Sequence, residues 1–225
     1  MALLTVEAIA VTVTVELVSN GLLRRPTLHG SPLLSVFLLP ARQNERVNYR
    51  LFELINASAG RIDGIDDVME FAATWLVYLI FAASAVPVAV SLHRRRTRPV
   101  LELGVALVLA FAAATALAHL NSQLRPFQSH HVHQLIPHDP GVSLPSDHAT
   151  AAFTLAFGVY AFLNHRWGVI LGTAALTVGA ARVWVGVHYP GDILAAAAIA
   201  GLAVMAVTVG SHRQRGRTRS PSAAR

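Results

Sequence analysis

The chain contains neither cysteine nor lysine, and only 13% of its 225 residues are charged, against roughly a quarter in a soluble domain. Without cysteine there can be no disulfide scaffold, thiolate metal site or cysteine nucleophile. Without lysine there can be no Schiff base and no Walker-type phosphate loop. All 18 basic residues are arginine and the formal net charge is +6, while 54% of the chain is hydrophobic. A basic excess can signal a nucleic-acid partner. Here the arginines flank apolar runs rather than forming a polar module, so membrane phosphates are the expected anionic partner and nucleic acid is not.

Five stretches, 68–92, 100–120, 149–163, 167–187 and 193–210, approach the length rule of about 20 apolar residues for a spanning helix. The expected fold is therefore all-α, a polytopic transmembrane bundle of five or six helices. Alanine and glycine crowd these stretches, and Gly168 and Gly172, four apart, are expected to serve close packing in lipid. Residues 47–210 are expected to form the membrane-embedded domain, with 211–225 as a basic, disordered cytoplasmic tail that anchors topology. Residues 1–46 fit poorly. Their apolar run 8–15 is bounded by Glu7 and Glu16 and alternates Val with Thr, and it lacks the positive start of a signal peptide. That segment is expected to be peripheral, or a mis-annotated extension of a chain starting near Val47.

Arginine placement sets an orientation, because short cytoplasmic loops are enriched in positive charge. Three segments agree: His93-Arg94-Arg95-Arg96-Thr97-Arg98, the turn Asn164-His165-Arg166, and the tail with Arg213, Arg215, Arg217, Arg219 and Arg225. The connections left on the opposite side are 120–145 and 187–190.

Polar chemistry concentrates at those outer connections. Arg125 and Pro126 follow the second span, Pro145-Ser146-Asp147-His148 opens the third, and Arg182, His188 and Asp192 bracket the start of the fifth. The third and fifth spans begin on the outer side, so their positive dipole ends and unpaired N–H groups suit an anion. Ser146 is expected as an N-cap and Pro190 in a first turn. Arg125 and Arg182 add planar forks that match phosphate oxygens. Four-residue spacing lets Asp192 accept from one nitrogen of His188 and leave the other as a nucleophile, with His148 as a second imidazole for proton transfer.

These residues resemble the type 2 phosphatidic acid phosphatase superfamily, whose signature is Lys-x6-Arg-Pro, Pro-Ser-Gly-His and Ser-Arg-x5-His-x3-Asp. Arg125-Pro126, Pro145-Ser146-Asp147-His148 and Arg182, His188, Asp192 match at the right spacings. A weaker likeness runs through Asn48-Tyr49-Arg50-Leu51-Phe52 and Leu54-Ile55-Asn56. Ala118 stands for the lysine, Asp147 for glycine and Ala181 for serine; His119 or Asn121 is expected to substitute for the missing lysine. The resemblance implies that His188 is the nucleophile forming a phosphohistidine, Asp192 its orienting partner and His148 the acid that then activates water. It makes Arg125, Arg182, Ser146 and Asp147 the phosphate-binding set and requires no cofactor or metal.

The Pro-Ser-Asp-His variant, with Leu135-Ile136-Pro137-His138 upstream, is similar to the branch acting on undecaprenyl pyrophosphate. What this implies is a bacterial plasma-membrane enzyme, multi-pass, with an extracytoplasmic site and a polyprenyl pyrophosphate substrate. The alternative within the family is a phosphatidylglycerophosphate or phosphatidic acid phosphatase. A membrane transporter or metal-binding protein is the alternative of another class, resting on His130, His131, His133 and His138 as zinc ligands. The plainer reading of that cluster is a polar loop over the site. A vanadate-dependent haloperoxidase shares the phosphate motifs but is not expected of an apolar chain of this length.

Overall fold

The structure, a computed structural model, describes residues 41–218. Expectations for residues 1–40 and 219–225 lie outside the described residues. The chain divides into two compact units, Met1–Leu51 and Phe52–Arg225, and the second carries the features that follow.

The described elements are α1 (Ala41–Asn56), α2 (Asp63–Thr74), α3 (Leu76–His93), α4 (Thr97–Leu120), α5 (Pro126–Ser129), α6 (Asp147–Gly158), α7 (His165–Trp184) and α8 (Pro190–Thr218). A π-helical turn, Val159–Leu163, continues α6. Among the described residues there is no strand, only an isolated antiparallel bridge between Leu124 and Val142. The all-α expectation holds.

Four helices, α3, α4, α7 and the apolar part of α8, are long and apolar enough to cross a membrane. The fifth segment, α6 with its π turn, spans roughly 25 Å at 1.5 Å per residue and forms the centre of the bundle. Nine of the twelve α6 residues are buried, packed among α3, α4, α7 and α8. Its two threonines satisfy their hydroxyls on the preceding turn, Thr150 on the Ser146 carbonyl at 2.9 Å and Thr154 on the Thr150 carbonyl at 2.6 Å, so no polar group is stranded there. The outer helices instead carry exposed Leu101, Val108, Val169 and Leu176, an apolar surface suited to lipid.

Two expected spans have different limits. The stretch 68–92 is two helices, α2 and α3, broken at Thr74–Trp75. Twenty-five residues would run to about 37 Å, longer than the roughly 30 Å hydrocarbon layer, and the excess includes Glu70. The exposed Trp75 and Tyr78 at the junction are the residue types that settle at a membrane interface. The last helix runs on to Thr218 rather than stopping at Gly210, so the expected disordered tail begins as helix. Arg98 donates to the Ser211 carbonyl at 3.2 Å and the Ser211 hydroxyl to Glu102 at 2.7 Å, fastening that extension to the start of α4.

The expected glycine packing is half right. A Cβ on Gly168 would lie 2.4 Å from the Tyr160 backbone, whereas one on Gly172 would meet nothing within 4 Å. Alternation of helix direction gathers the segments 93–98 and 164–166 and the described end of α8 at one end of the bundle. The starts of α6 and α8 and the end of α7 lie at the other.

Candidate active site

The first signature segment is held by local hydrogen bonds before it meets anything else. Pro126 opens the short helix α5, and the Gln128 side-chain oxygen accepts from the Arg125 N–H at 3.3 Å and the Gly141 N–H at 2.9 Å. The Ser143 N–H donates to the Gln123 carbonyl at 2.8 Å. These bonds lay the segment 123–128 beside the chain leading into α6, and so bring Arg125 to the start of that helix.

The third segment supplies the deepest group. Val185–Tyr189 turns sharply between α7 and α8, with Gly186 at φ +83°; there a Cβ would lie 2.7 Å from the His133 carbonyl oxygen, so both backbone conformation and space require glycine. His188 and Asp192 emerge from this turn and the first turn of α8 almost fully buried. One oxygen of Asp192, Oδ2, accepts from the Ser143 hydroxyl at 2.5 Å, the Tyr189 N–H at 2.8 Å and the His188 ring at Nδ1, 3.2 Å. A carboxylate can only accept, so Nδ1 carries the proton. The opposite nitrogen, Nε2, lies 3.0 Å from Arg125 Nη1, and a guanidinium can only donate. Two independent partners therefore fix one tautomer, with the lone pair on Nε2.

Arg182 comes from the last turn of α7 and is buried. Its Nη1 donates to the Ala73 carbonyl at 3.3 Å, a group released because α2 ends there and leaves its last carbonyls without helical partners. The break in the first expected span thus helps to fix an arginine in the second half of the chain.

What these groups do not bond to is equally informative. Arg125 Nε, Arg182 Nε and Nη2, and the Ser146 hydroxyl are buried without a hydrogen-bond partner. Buried polar groups are normally paired, and an unpaired one costs about 1–3 kcal/mol. Four such donors on the three motif segments amount to an unfilled demand for an acceptor-rich anion. Ser146 does not act as the expected side-chain cap; only its carbonyl joins the helix, accepting from the Thr150 N–H at 2.8 Å. Asp147 is exposed, and its carboxylate, close enough to act electrostatically on Arg125, would repel a phosphate rather than bind it.

Both imidazoles of the motifs are neutral at pH 7. Burial pushes His188 down to about 4, helped by Arg182 and Arg125 and opposed by Asp192. His148, just ahead of the apolar run of α6, is also lowered to about 4, by burial first and then by Arg182, His188, His138 and Arg125.

The outer-loop histidines part company. His130 Nδ1 pairs with the Tyr189 hydroxyl at 3.2 Å, His131 and His133 are exposed, and the His138 ring packs edge-on against His188 with centroids 6.2 Å apart. Among the described residues no three His, Asp or Glu side chains could hold a metal ion. Neither expected stand-in for the lysine makes a hydrogen bond to a motif residue: His119 is exposed, and the Asn121 side chain accepts locally from the Gln123 N–H at 2.6 Å. Ser143, Asn56 and Asp66 do shape the site without belonging to a signature. Buried Asn56 accepts from the His133 N–H at 2.9 Å and donates to the His133 and Trp184 carbonyls at 2.8 and 2.7 Å, while Asp66 accepts from the Trp184 indole at 2.8 Å.

The bundle thus sets a buried, oriented imidazole beside guanidinium and hydroxyl donors without partners, a set suited to hold an acceptor-rich anion. Residues 99–216 match the model of the PAP2 superfamily, and the chain belongs to that family; it is a lipid phosphatase. It is 31% identical over 166 residues to an undecaprenyl-diphosphatase, BcrC, of Bacillus subtilis, covering 73% of this chain and 81% of that one. Over 172 residues it is 33% identical to an undecaprenyl-diphosphatase of Sulfolobus acidocaldarius, covering 72% and 79%. Among solved structures, LpxE of Aquifex aeolicus superposes with a TM-score of 0.59 at 27% identity, over 72% of this chain and 94% of that one. A phosphatidylglycerolphosphate phosphatase of Bacillus subtilis shares the fold, with a TM-score of 0.55 at 18% identity over 80% and 92%.

Proposed function

We propose that this enzyme hydrolyses undecaprenyl diphosphate, or a close polyprenyl diphosphate, to the monophosphate through a phosphohistidine on His188. The site would face the extracytoplasmic side of a bacterial plasma membrane, with residues 47–210 as the catalytic domain. The observation that carries the reading is the set of four buried, partnerless donors on Arg125, Arg182 and Ser146 beside an imidazole whose Nε2 holds a lone pair directed at Arg125. The names of the relatives, undecaprenyl-diphosphatase in both cases, support the substrate. The arginine-rich segments at the far end of the bundle support the orientation.

In the first step the Nε2 lone pair attacks the terminal phosphorus. Arg125 swings its contact from Nε2 to the phosphoryl oxygens, joined by Arg182, Ser146 and the Asp147 backbone N–H at the start of α6. As the N–P bond forms, the bond from phosphorus to the bridging oxygen breaks and the lipid monophosphate leaves with that electron pair. Asp192 keeps Nδ1 oriented and balances the charge on the ring. In the second step neutral His148 takes a proton from water, hydroxide attacks the phosphohistidine, and inorganic phosphate departs as Nε2 regains its lone pair.

The neutral state of His148 favours a diphosphate. A phosphate leaving group has a relevant pKa of about 6 and departs without much protonation, whereas a monoester must expel an alkoxide and needs an acid. The test is phosphate release by purified enzyme in detergent with chelator, comparing undecaprenyl diphosphate with phosphatidylglycerophosphate. The diphosphate should have the higher kcat/KM; preference for the monoester would overturn the substrate assignment.

A further inference from the structure

The phosphate site carries one cation fewer than the family signature provides. The chain has no lysine, Ala118 occupies the signature position, and neither His119 nor Asn121 is hydrogen-bonded to a motif residue. A terminal diphosphate nevertheless brings a second phosphate, adding to the roughly −2 of a monoester. Arg125 and Arg182 are largely committed to the phosphoryl group being transferred. A diphosphate-selective site therefore needs a further polar group, near His188 but outside the signature.

His138 meets that description. Its ring stands edge-on to His188, with an interplanar angle of 83°, and it acts electrostatically on His148. Its Nδ1 lies 3.1 Å from the Asp139 carbonyl; a carbonyl only accepts, so Nδ1 carries the proton and Nε2, on the opposite edge of the ring, holds the lone pair. The ring is half-buried, and burial, with Arg125 and Arg182 nearby, lowers its affinity for a second proton.

The loop holding this ring is anchored on both sides. Upstream, Asn56 clamps the His133 backbone, the Leu135 N–H donates to the Val185 carbonyl at 3.2 Å, and Leu135 and Ile136 pack on Val185 and Val187. Downstream, Gly141 is tied to Gln128 and Ser143 to Gln123. His138 is thus a pre-positioned group whose ordering cost is met in folding rather than in binding.

We propose that His138 is a specificity-determining residue whose Nε2 binds the second, non-transferred phosphate of a diphosphate headgroup. A single proton is shared between Nε2 and a phosphate oxygen, whichever partner brings it. The inference deepens the diphosphate reading and rests on it for the identity of the substrate.

The test compares His138→Ala and His138→Gln with the parent enzyme, in chelator, on undecaprenyl diphosphate and on undecaprenyl monophosphate. A hydrogen bond to a charged group contributes about 1.5–3 kcal/mol, so the ratio of the two kcat/KM values should fall about 10- to 100-fold. A ratio unchanged within about threefold would overturn the proposal, whether both activities fall or neither does. Inhibition by inorganic pyrophosphate and by orthophosphate separates this inference from the substrate assignment. If the parent enzyme prefers the monoester, the substrate reading fails. His138 still stands if its replacement raises the Ki of pyrophosphate at least about tenfold more than that of orthophosphate, and falls if the two Ki values move together.

Discussion

At the scale of single residues, the two motif histidines begin the cycle uncharged, and this has opposite consequences for two substrates. On the proposed mechanism His188 attacks as the neutral ring; with burial lowering it to about 4, kcat/KM on a diphosphate should vary less than about threefold between pH 5 and 8. A monoester needs protonated His148, whose folded value is likewise about 4. At pH 7 that form is about one molecule in a thousand, and it grows about tenfold for each unit the pH falls. Monoester kcat/KM should therefore climb as pH drops from 7 toward 5, and initial-rate profiles corrected for the substrates' own ionisation would reveal it. Parallel profiles for the two substrates would remove His148 from the acid role. The candidate residues were picked out in the sequence because their arginine, histidine and aspartate stand at informative spacings beside the ends of apolar runs. Ser143, which completes the triple contact on Asp192, was not, because a serine in a polar loop has no periodicity or spacing to mark it. Ser146 was legible as a residue but not in its manner, since an N-cap position does not dictate that the hydroxyl turns back to the helix.

At the scale of elements, the site depends on two irregularities that hydropathy alone does not reveal. The α2–α3 break frees the Ala73 carbonyl for Arg182, yet the sequence from Val68 to Leu92 reads as one apolar run because Glu70 is the only charge inside it. The excess length over the bilayer was the available signal. The turn between α7 and α8 depends on Gly186, where positive φ coincides with close approach of the His133 carbonyl. Gly186→Ala should cost about 1–3 kcal/mol, seen as a lowered Tm in detergent, and should also lower kcat because His188 follows two residues later. An alanine variant with unchanged Tm and kcat would show that the turn tolerates a side chain and does not position the imidazole. Helix existence and order were readable throughout, since long apolar runs admit few alternatives. Boundaries were less so, and the continuation of α8 past Gly210 depends on the tertiary bonds of Ser211, invisible to local pattern.

At the scale of the whole molecule, the proposed orientation puts the arginine-rich connections on the cytoplasmic side and the candidate site on the other. The natural absence of cysteine makes this directly measurable. Cysteine introduced at exposed Ser122, at the site end, should react with a membrane-impermeant maleimide on intact cells. Cysteine at exposed Thr97, the first residue of α4 beside the arginine-rich turn, should react only after permeabilisation. The reverse pattern would turn the enzyme over and put its substrate on the cytoplasmic leaflet. This orientation was read from arginine placement alone, because charged segments flanking long apolar runs admit few topologies.

The central claim is that His188 Nε2, oriented through Nδ1 by Asp192, becomes covalently bonded to phosphorus. The most direct measurement is a rapid acid-free quench of enzyme turning over undecaprenyl diphosphate labelled in its terminal phosphate, followed by peptide mapping. Label should appear as acid-labile, base-stable phosphohistidine on the peptide containing His188, and should be absent from His188→Ala, which should also lose nearly all turnover. Label persisting on the His188→Ala enzyme, or mapping to another residue in the parent, would contradict it.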